Sequence, residues 1–171
     1  MSTTSTKEVP QSALAKYALG IDHLAIAVRD LESSLSWFTN VLGFSLKERR
    51  KTEGVSTGMI SAVLEAGALT IVLLEGIGAQ SQVSLFVERY GPGVQHVAIR
   101  MESIDDAVQE LQAAGLQFDT SLIKGGGLKQ IFSRRDEGSG LMVELIQRSS
   151  EGFADQNVSQ LFEELERKNA V

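Results

Sequence analysis

Two periods of hydrophobicity alternate along this chain, twice and in the same order. Ile21 to Val28 and Val94 to Met101 are runs of β-branched and small apolar residues, each with a histidine near its start, and they read as β-strands. After each strand the apolar residues fall at helical spacing. The first helix is expected from about Leu31 to Leu42, with Asp30 as N-cap and Gly43 as its stop. The second is expected from about Ser103 to Ala114, with Ser103 as cap, Asp105 and Asp106 in its first turn and Gly115 ending it. Strand-like segments complete each half. In the first half these are Phe44 to Arg50, Gly58 to Glu65 and Leu69 to Leu74. In the second they are a short piece near Phe118, Leu128 to Arg134 and Leu141 to Gln147.

Placing His23 on His96, a shift of 73 (96 − 23), puts Leu31 on Ile104 and Leu35 on Val108, the inward positions of the two helices. Each half is therefore β-α-β-β-β, at about residues 20–76 and 93–148, and the fold class is α+β. The connection from Glu75 to Gly93 is rich in Gly, Ser and Gln, with a helical turn at Ser84 to Tyr90. The Gly125-Gly126-Gly127 triplet opens a strand and has no Lys-Ser/Thr after it, so it is a loop and not a phosphate cradle. The Arg134-Arg135 pair, beside Asp136 and Glu137, reads as a solvated turn.

Residues 1–19 are expected as a flexible N-terminal segment, the polar, Ser/Thr-rich Met1 to Ser12 above all. Residues 20–150 form the domain, and 151–171 carry a C-terminal helix. That helix, about Asn157 to Lys168, has Val158, Leu161, Phe162 and Leu165 on one face, which must cover the open face of the domain or a partner.

Composition narrows the chemistry. The 171 residues carry a net charge of −6 and no basic stripe, which argues against nucleic acid. The absence of cysteine excludes disulfides, thiolate metal sites and cysteine nucleophiles. No apolar run reaches the roughly 18 residues of a membrane span, and the N-terminus lacks a signal-peptide core, so a cytoplasmic location is expected.

The chain's only two histidines, His23 and His96, stand at the same point of the repeated unit. Imidazole is the commonest protein ligand for a transition metal. A third ligand is offered by Glu144, an acid inside the apolar strand Leu141-Met142-Val143-Glu144-Leu145-Ile146, where burial is costly unless the charge is paired or bound to metal. Its counterpart in the first half, 72 residues earlier (144 − 72), is Val72. Two histidines, one carboxylate and an apolar fourth place make a 2-His-1-carboxylate set, which leaves positions on Fe(II) open for substrate and O₂.

These residues resemble a known superfamily. Ile21-Asp22-His23 followed by Val41-Leu42-Gly43-Phe44 is similar to the general signature of the vicinal oxygen chelate proteins, which include glyoxalase, methylmalonyl-CoA epimerase and the extradiol dioxygenases. Four further segments resemble the catalytic domain of the 4-hydroxyphenylpyruvate dioxygenase family. They are Gly91-Pro92-Gly93-Val94-Gln95-His96, Leu128-Lys129-Gln130-Ile131-Phe132, Glu144-Leu145-Ile146-Gln147-Arg148 and Gly152-Phe153. The likeness runs from about Gly20 to Arg167. Complete proteins of that family carry a second, non-catalytic module at the N-terminus, which is expected to be absent here.

The resemblance implies a curved, open, barrel-like sheet around a metal site, with the C-terminal helix as its lid. It implies His23, His96 and Glu144 as Fe(II) ligands, and Ser61, Gln82, Gln95, Gln130, Phe132, Phe153 and Phe162 as substrate-pocket residues. Leu74 and Val158 depart from it: the family has asparagine and phenylalanine at these places. Both changes make the pocket less polar and less aromatic. The implied activity is oxidative decarboxylation and hydroxylation of a 2-oxo acid, aryl or aliphatic, with O₂ as co-substrate, and the chain is expected to pair as a homodimer. Two rivals stand beside this reading. One is a metal-dependent epimerase, isomerase or lyase, whose marker would be Glu or Gln at Val72. The other is a metal-free small-molecule binding or resistance protein.

Overall fold

A computed structural model describes residues 12–149 and 155–168. A short helix, α1 (Ala13–Tyr17), leads into β1 (Ala18–Ala27), α2 (Leu31–Asn40), β2 (Ser45–Glu53), β3 (Gly58–Ala66) and β4 (Leu69–Ile77). Then α3 (Gln82–Tyr90) joins this half to β5 (Gly93–Met101), α4 (Ile104–Ala113), β6 (Ile123–Gly125), β7 (Leu128–Phe132) and β8 (Val143–Arg148), with α5 (Asp155–Lys168) last. The eight strands form one sheet in the order β2-β3-β4-β1-β5-β8-β7-β6. The halves thus mirror each other about the central antiparallel pair β1–β5. Within each half the first and last strands are parallel, β1 with β4 and β5 with β8.

Alternation along the strands makes two faces. Leu24, Ile26, Leu64, Ile71 and Leu73 pack under α2 through Leu31 and Leu35, while Ile99, Met101, Ile131 and Leu145 pack under α4 through Ile104 and Ala107. The opposite, concave face carries Ala25, Ala27, Val72, Leu74 and Met59, covered by Val83, Phe86 and Val87 of α3 and by Val158 and Phe162 of α5.

The repeat extends to the helix ends. Asp30 caps α2 by accepting from Ser33 N at 2.6 Å, as its position in the sequence predicts. The Leu31 N–H also donates to Glu75 Oε2 at the end of β4 (2.6 Å), and the equivalent Ile104 N–H donates to Gln147 Oε1 at the end of β8 (3.0 Å). Ser103 is the N-cap residue of α4, as expected, but its hydroxyl turns to Asp106 and caps no backbone N–H. Each helix is thereby fixed to the strand that lies next to the centre of its own half.

Element boundaries differ from expectation where tertiary pairing overrides local pattern. The segment expected to be flexible to residue 19 holds α1 and the start of β1 from Ala13 onward, because Lys16 and Tyr17 reach Glu110 on α4 (2.8 and 3.0 Å). The short strand expected near Phe118 is β6, while Phe118 itself makes an isolated bridge to Ser133. Gly126 and Gly127, with φ of 55° and 78°, form the β6–β7 turn that only such a residue adopts without strain.

Candidate metal centre

Two central strands bring the histidines together. In the β1–β5 pairing His23 lies opposite Ala98 and Ala25 opposite His96, so the shift of 73 exchanges one pair for the other (23 + 73 = 96, 25 + 73 = 98). The same logic places the acid. Glu144 pairs with Ala98 and Val72 with Ala25, which makes Val72 the equivalent of Glu144 in the sheet as well as in the sequence.

The three side chains converge on one point. His23 Nε2 and His96 Nε2 lie 3.3 and 3.4 Å from Glu144 Oε2, and all three ligand atoms lie within 4.8 Å of one another. Cis ligands about 2.1 Å from an octahedral metal stand ~3 Å apart, so the spacing fits a metal bound through Nε2, Nε2 and a carboxylate oxygen. The rings are edge-to-face, with centroids 5.6 Å apart, and the Phe132 ring meets His96 edge-on at 4.9 Å.

Each imidazole is oriented from behind by the residue before it. His23 Nδ1 faces Asp22 Oδ1 at 2.9 Å, and His96 Nδ1 is hydrogen-bonded to Gln95 Oε1. A metal-bound histidine usually donates its other N–H to such a group, which fixes tautomer and ring plane. Asp22 is itself anchored by Arg148, through Nη2 to Oδ1 (2.9 Å) and Nε to Oδ2 (3.1 Å), and by Arg100 Nε (3.1 Å).

Titration follows from these contacts. Burial alone would lower the His23 pKa, but hydrogen bonds to Asp22 and Glu144 outweigh it and raise it to about 9. Burial lowers His96, with Glu144 opposing. Burial would raise Glu144, yet His23 and then His96 hold it at about 2. Asp22 would also rise by burial, and His23 and Arg148 hold it below the ordinary carboxylate range. Glu144 is thus an ionised carboxylate only 2% exposed, facing two imidazoles. Without a metal the protonated His23 imidazole balances this buried charge, and the donor set fits a divalent metal in that role.

The centre sits in the wall of an open cavity of about 700 Å³, solvent at its mouth included. Ser61, Gln82, Gln95, Gln130, Phe132 and Phe162 all line it, as do Leu74 and Val158. Phe153 lies outside the described residues. Gln82 opens α3, and its Oε1 is buried with no hydrogen-bond partner among the described residues. Gln95 is committed to His96 through its oxygen. Two charged wall residues were not expected from the sequence: Glu48 and Arg50, an ion pair on β2. Arg135 is a second correction. In place of a solvated turn, its guanidinium stacks over Phe86 (4.8 Å) and donates to the Gln95 carbonyl (2.8 Å).

The lid α5 is fastened to both halves. Glu166 accepts from Val55 N (2.8 Å) and from the hydroxyls of Ser56 (3.1 Å) and Thr57, in the β2–β3 turn. Glu164 accepts from Ser121 N (2.7 Å) and Ser121 Oγ (2.8 Å) in the second half.

Comparison with known proteins agrees with this architecture. Residues 20–145 match the family model described as Glyoxalase/Bleomycin resistance protein/Dioxygenase superfamily. The uncharacterized protein YqjC of Bacillus subtilis is 30% identical over 74% of this chain and 91% of its own length. Human mitochondrial methylmalonyl-CoA epimerase is 29% identical, over 74% of this chain and 73% of its own. A 4-hydroxyphenylpyruvate dioxygenase of Legionella pneumophila is 26% identical over 92% of this chain, which spans only 56% of that protein. Two solved structures share the fold. A mutant of 4-hydroxymandelate synthase from Streptomyces coelicolor has TM-score 0.78 at 23% identity, with 86% of this chain and 53% of that one covered. Methylmalonyl-CoA epimerase from Mycobacterium tuberculosis has TM-score 0.68 at 24% identity, with 84% and 95% covered. Dioxygenases and epimerases are both among its relatives, and the chain belongs to the Glyoxalase/Bleomycin resistance protein/Dioxygenase superfamily.

Proposed function

We propose that this chain is an Fe(II)-dependent dioxygenase of the 4-hydroxyphenylpyruvate dioxygenase kind, which converts a 2-oxo acid and O₂ into a hydroxylated acid shorter by one carbon, with release of CO₂. The observation that carries the reading is Val72 at the sheet position equivalent to Glu144. Three protein ligands leave three places on an octahedral metal, enough for a chelating substrate and O₂. Fe(II), when bound by His23, His96 and Glu144, supplies O₂ activation and the point of chelation. The chain's own residues do the rest. Asp22 and Gln95 hold the two imidazoles. Gln82 offers its unpartnered amide oxygen to a substrate donor, with Gln130 and Ser61 as further polar contacts. Phe132 and Phe162 flank the substrate body, and Phe153 joins them in the family-based reading. The apolar wall of Val63, Val72 and Leu74, closed by α5, keeps water from the reacting centre. Leu74 and Val158 favour a substrate without a para-hydroxyl, or an aliphatic one. Iron-loaded protein is expected to consume O₂ and release CO₂ with members of a panel of aryl and aliphatic 2-oxo acids. Failure with the whole panel refutes the proposal.

Glu48 supports a second reading. It is a carboxylate in the same cavity wall that is not part of the ligand trio, so the cavity holds a second group able to take and return a substrate proton. That chemistry is metal-dependent epimerisation or isomerisation. It needs no O₂, so turnover with Co(II) under argon would favour it.

We also infer a cytoplasmic homodimer. No helix among the described residues is long and apolar enough to cross a membrane, and Leu19 and Ile21 on β1 are exposed apolar side chains that pairing would cover. A sedimentation mass of one chain would refute the dimer.

A further inference from the structure

The pseudo-symmetry fails at a second place besides Val72 and Glu144. In the first half Arg50 pairs with Ser61, and Ser61 with Leu74. In the second half Ile123 pairs with Gln130, and Gln130 with Ile146. Since 74 + 72 = 146 and 50 + 73 = 123, the fully buried Ile123 is the counterpart of Arg50. The two halves therefore distribute their charge in opposite ways. The second half has its carboxylate on the strand next to the centre and apolar Ile123 at the edge. The first half has apolar Val72 next to the centre and its charges, Glu48 and Arg50, at the edge.

Across the first half of the bowl this makes a sequence of surfaces. From the centre outward the row through Glu48 is Ala25, Val72, Val63, Glu48, and the neighbouring row is Ala27, Leu74, Ser61, Arg50. The edge strand lies three inter-strand spacings of about 4.8 Å from β1, or ~14 Å measured along the curled sheet. Arg50 is well inside, at 13% side-chain exposure, whereas its ion-pair partner Glu48, at 35%, stands nearer the solvent. Arg50 and Glu48 line the same cavity as the metal ligands, with aliphatic side chains between.

We propose that Arg50 is a specificity residue for the end of the substrate remote from the metal, and that the substrate is bipolar. It has a chelating head at His23, His96 and Glu144, an apolar body along Val72, Val63 and Leu74, and a terminal carboxylate at Arg50. This deepens the proposed function and rests on the reading of those three residues as metal ligands. An arginine presents its donors in a fork suited to a carboxylate, and the Ser61 hydroxyl lies on the adjacent strand to complete the contact. Glu48 holds the guanidinium in place and lowers the net positive charge that the carboxylate meets. Inward charges on an edge strand also protect it from pairing with other sheets, and a protective role alone would leave ligand selectivity unchanged.

Calorimetric titration of the Fe(II)-loaded chain under argon, where turnover is prevented, tests the proposal with two matched pairs of ligands. One pair is 2-oxooctanoate and 2-oxooctanedioate. The other is octanohydroxamic acid and its ω-carboxy derivative, whose head chelates metal whatever the natural substrate. The ω-carboxylate of each pair is expected to bind about tenfold more tightly, the factor equal to about 1.4 kcal/mol for a charge-assisted hydrogen bond. That advantage should vanish in Arg50→Met, persist in part in Arg50→Lys, and grow in Glu48→Gln, where the competing negative charge is gone. Should Arg50→Met fail to fold, the Lys and Gln variants decide. Equal affinities within the hydroxamate pair, or an advantage that survives Arg50→Met, overturn the distal site. Discrimination within the hydroxamate pair without binding of either 2-oxo acid overturns the 2-oxo acid head and upholds Arg50. If neither pair binds, both readings fall.

Discussion

His23 and His96 occupy equivalent places in one duplicated fold, yet they are held by different chemistry. Behind His23 stands a carboxylate, Asp22, gripped by Arg148 and Arg100; behind His96 stands the neutral amide of Gln95. Burial lowers both imidazoles, but the ionised acceptor behind His23 helps to outweigh it and the His23 pKa rises to about 9, while burial prevails at His96 and its pKa falls. The Arg135 guanidinium, lying against the Gln95 main chain, adds to the lowering of His96. The lesson is that duplication preserves geometry while the two copies diverge in charge. The backbone register of the four central strands is symmetric to the residue; the electrostatics are not.

The most drastic way to break this asymmetry is at the carboxylate. Glu144→Ala is expected to weaken metal binding by more than about 100-fold, because even the groups behind metal ligands are worth about 10–100-fold. Equilibrium dialysis against iron or cobalt measures it. Val72→Glu approaches the same asymmetry from the other side. On the proposed function it should retain metal binding but cut O₂-dependent turnover by at least about tenfold, since a fourth protein ligand would take a place the proposed substrate needs. Unchanged turnover would show that Val72 does not border the open positions.

A smaller effect compares the two supports. Asp22→Asn should lower metal affinity about 10–100-fold, and Gln95→Leu less, since a charged acceptor orients its histidine more firmly than an amide. Asp22→Asn should also cost stability, about 3 kcal/mol in urea unfolding of the metal-free protein, because Arg148 loses its buried counter-charge. Equal losses from the two substitutions would mean that Asp22 serves the fold and not His23.

The lid gives a third contrast. A Cβ on Gly54 would lie 2.8 Å from the Phe162 ring and 2.7 Å from Glu166, so Gly54→Ala should loosen α5 at a cost of about 1–3 kcal/mol. Hydrogen exchange of residues 158–168 reads the change. Glu166 reaches three donors in the first half and Glu164 reaches the Ser121 backbone and hydroxyl in the second, so Glu166→Gln should loosen the lid more than Glu164→Gln.

The smallest effect is one of pH. Burial would raise both carboxyls, but their hydrogen bonds lower them below the usual 4.5. A depressed folded-state pKa contributes stability above the ordinary value and loses it as pH falls. Protection of α5 should therefore be flat above about pH 5 and decline as the solution is acidified through and below the ordinary carboxylate range. A lid that tightens on acidification would contradict the assignment.

Much of the fold and the core of the candidate site was legible in the sequence because period and repetition are strong signals. The shift of 73 found both histidines, and the lone acid in an apolar strand marked Glu144 and, by subtraction, Val72. Glu48 and Arg50 escaped because β2 is polar on both faces: Lys47, Arg49, Lys51 and Glu53 alternate with Glu48 and Arg50, so no hydrophobic pattern announces which side faces in. Gln82 was noticed through resemblance, but its place on the first turn of α3 depended on packing of Val83 and Phe86 that local propensity does not express. Arg135 looked like one member of a charged turn. The tertiary approach of Phe86 and the Gln95 carbonyl, which no local pattern expresses, draws it to the wall of the bowl.

The pairing of Val72 with Ala25, in register with Glu144 and Ala98, has a bearing on descent as well as on chemistry. Codons for valine and glutamate can differ at a single base. A lineage with this backbone can therefore gain or lose a metal ligand in one mutational step, without disturbing a strand, a helix or the other three strands of the half. In such a fold, neighbouring activities are separated by far less than their chemistry suggests.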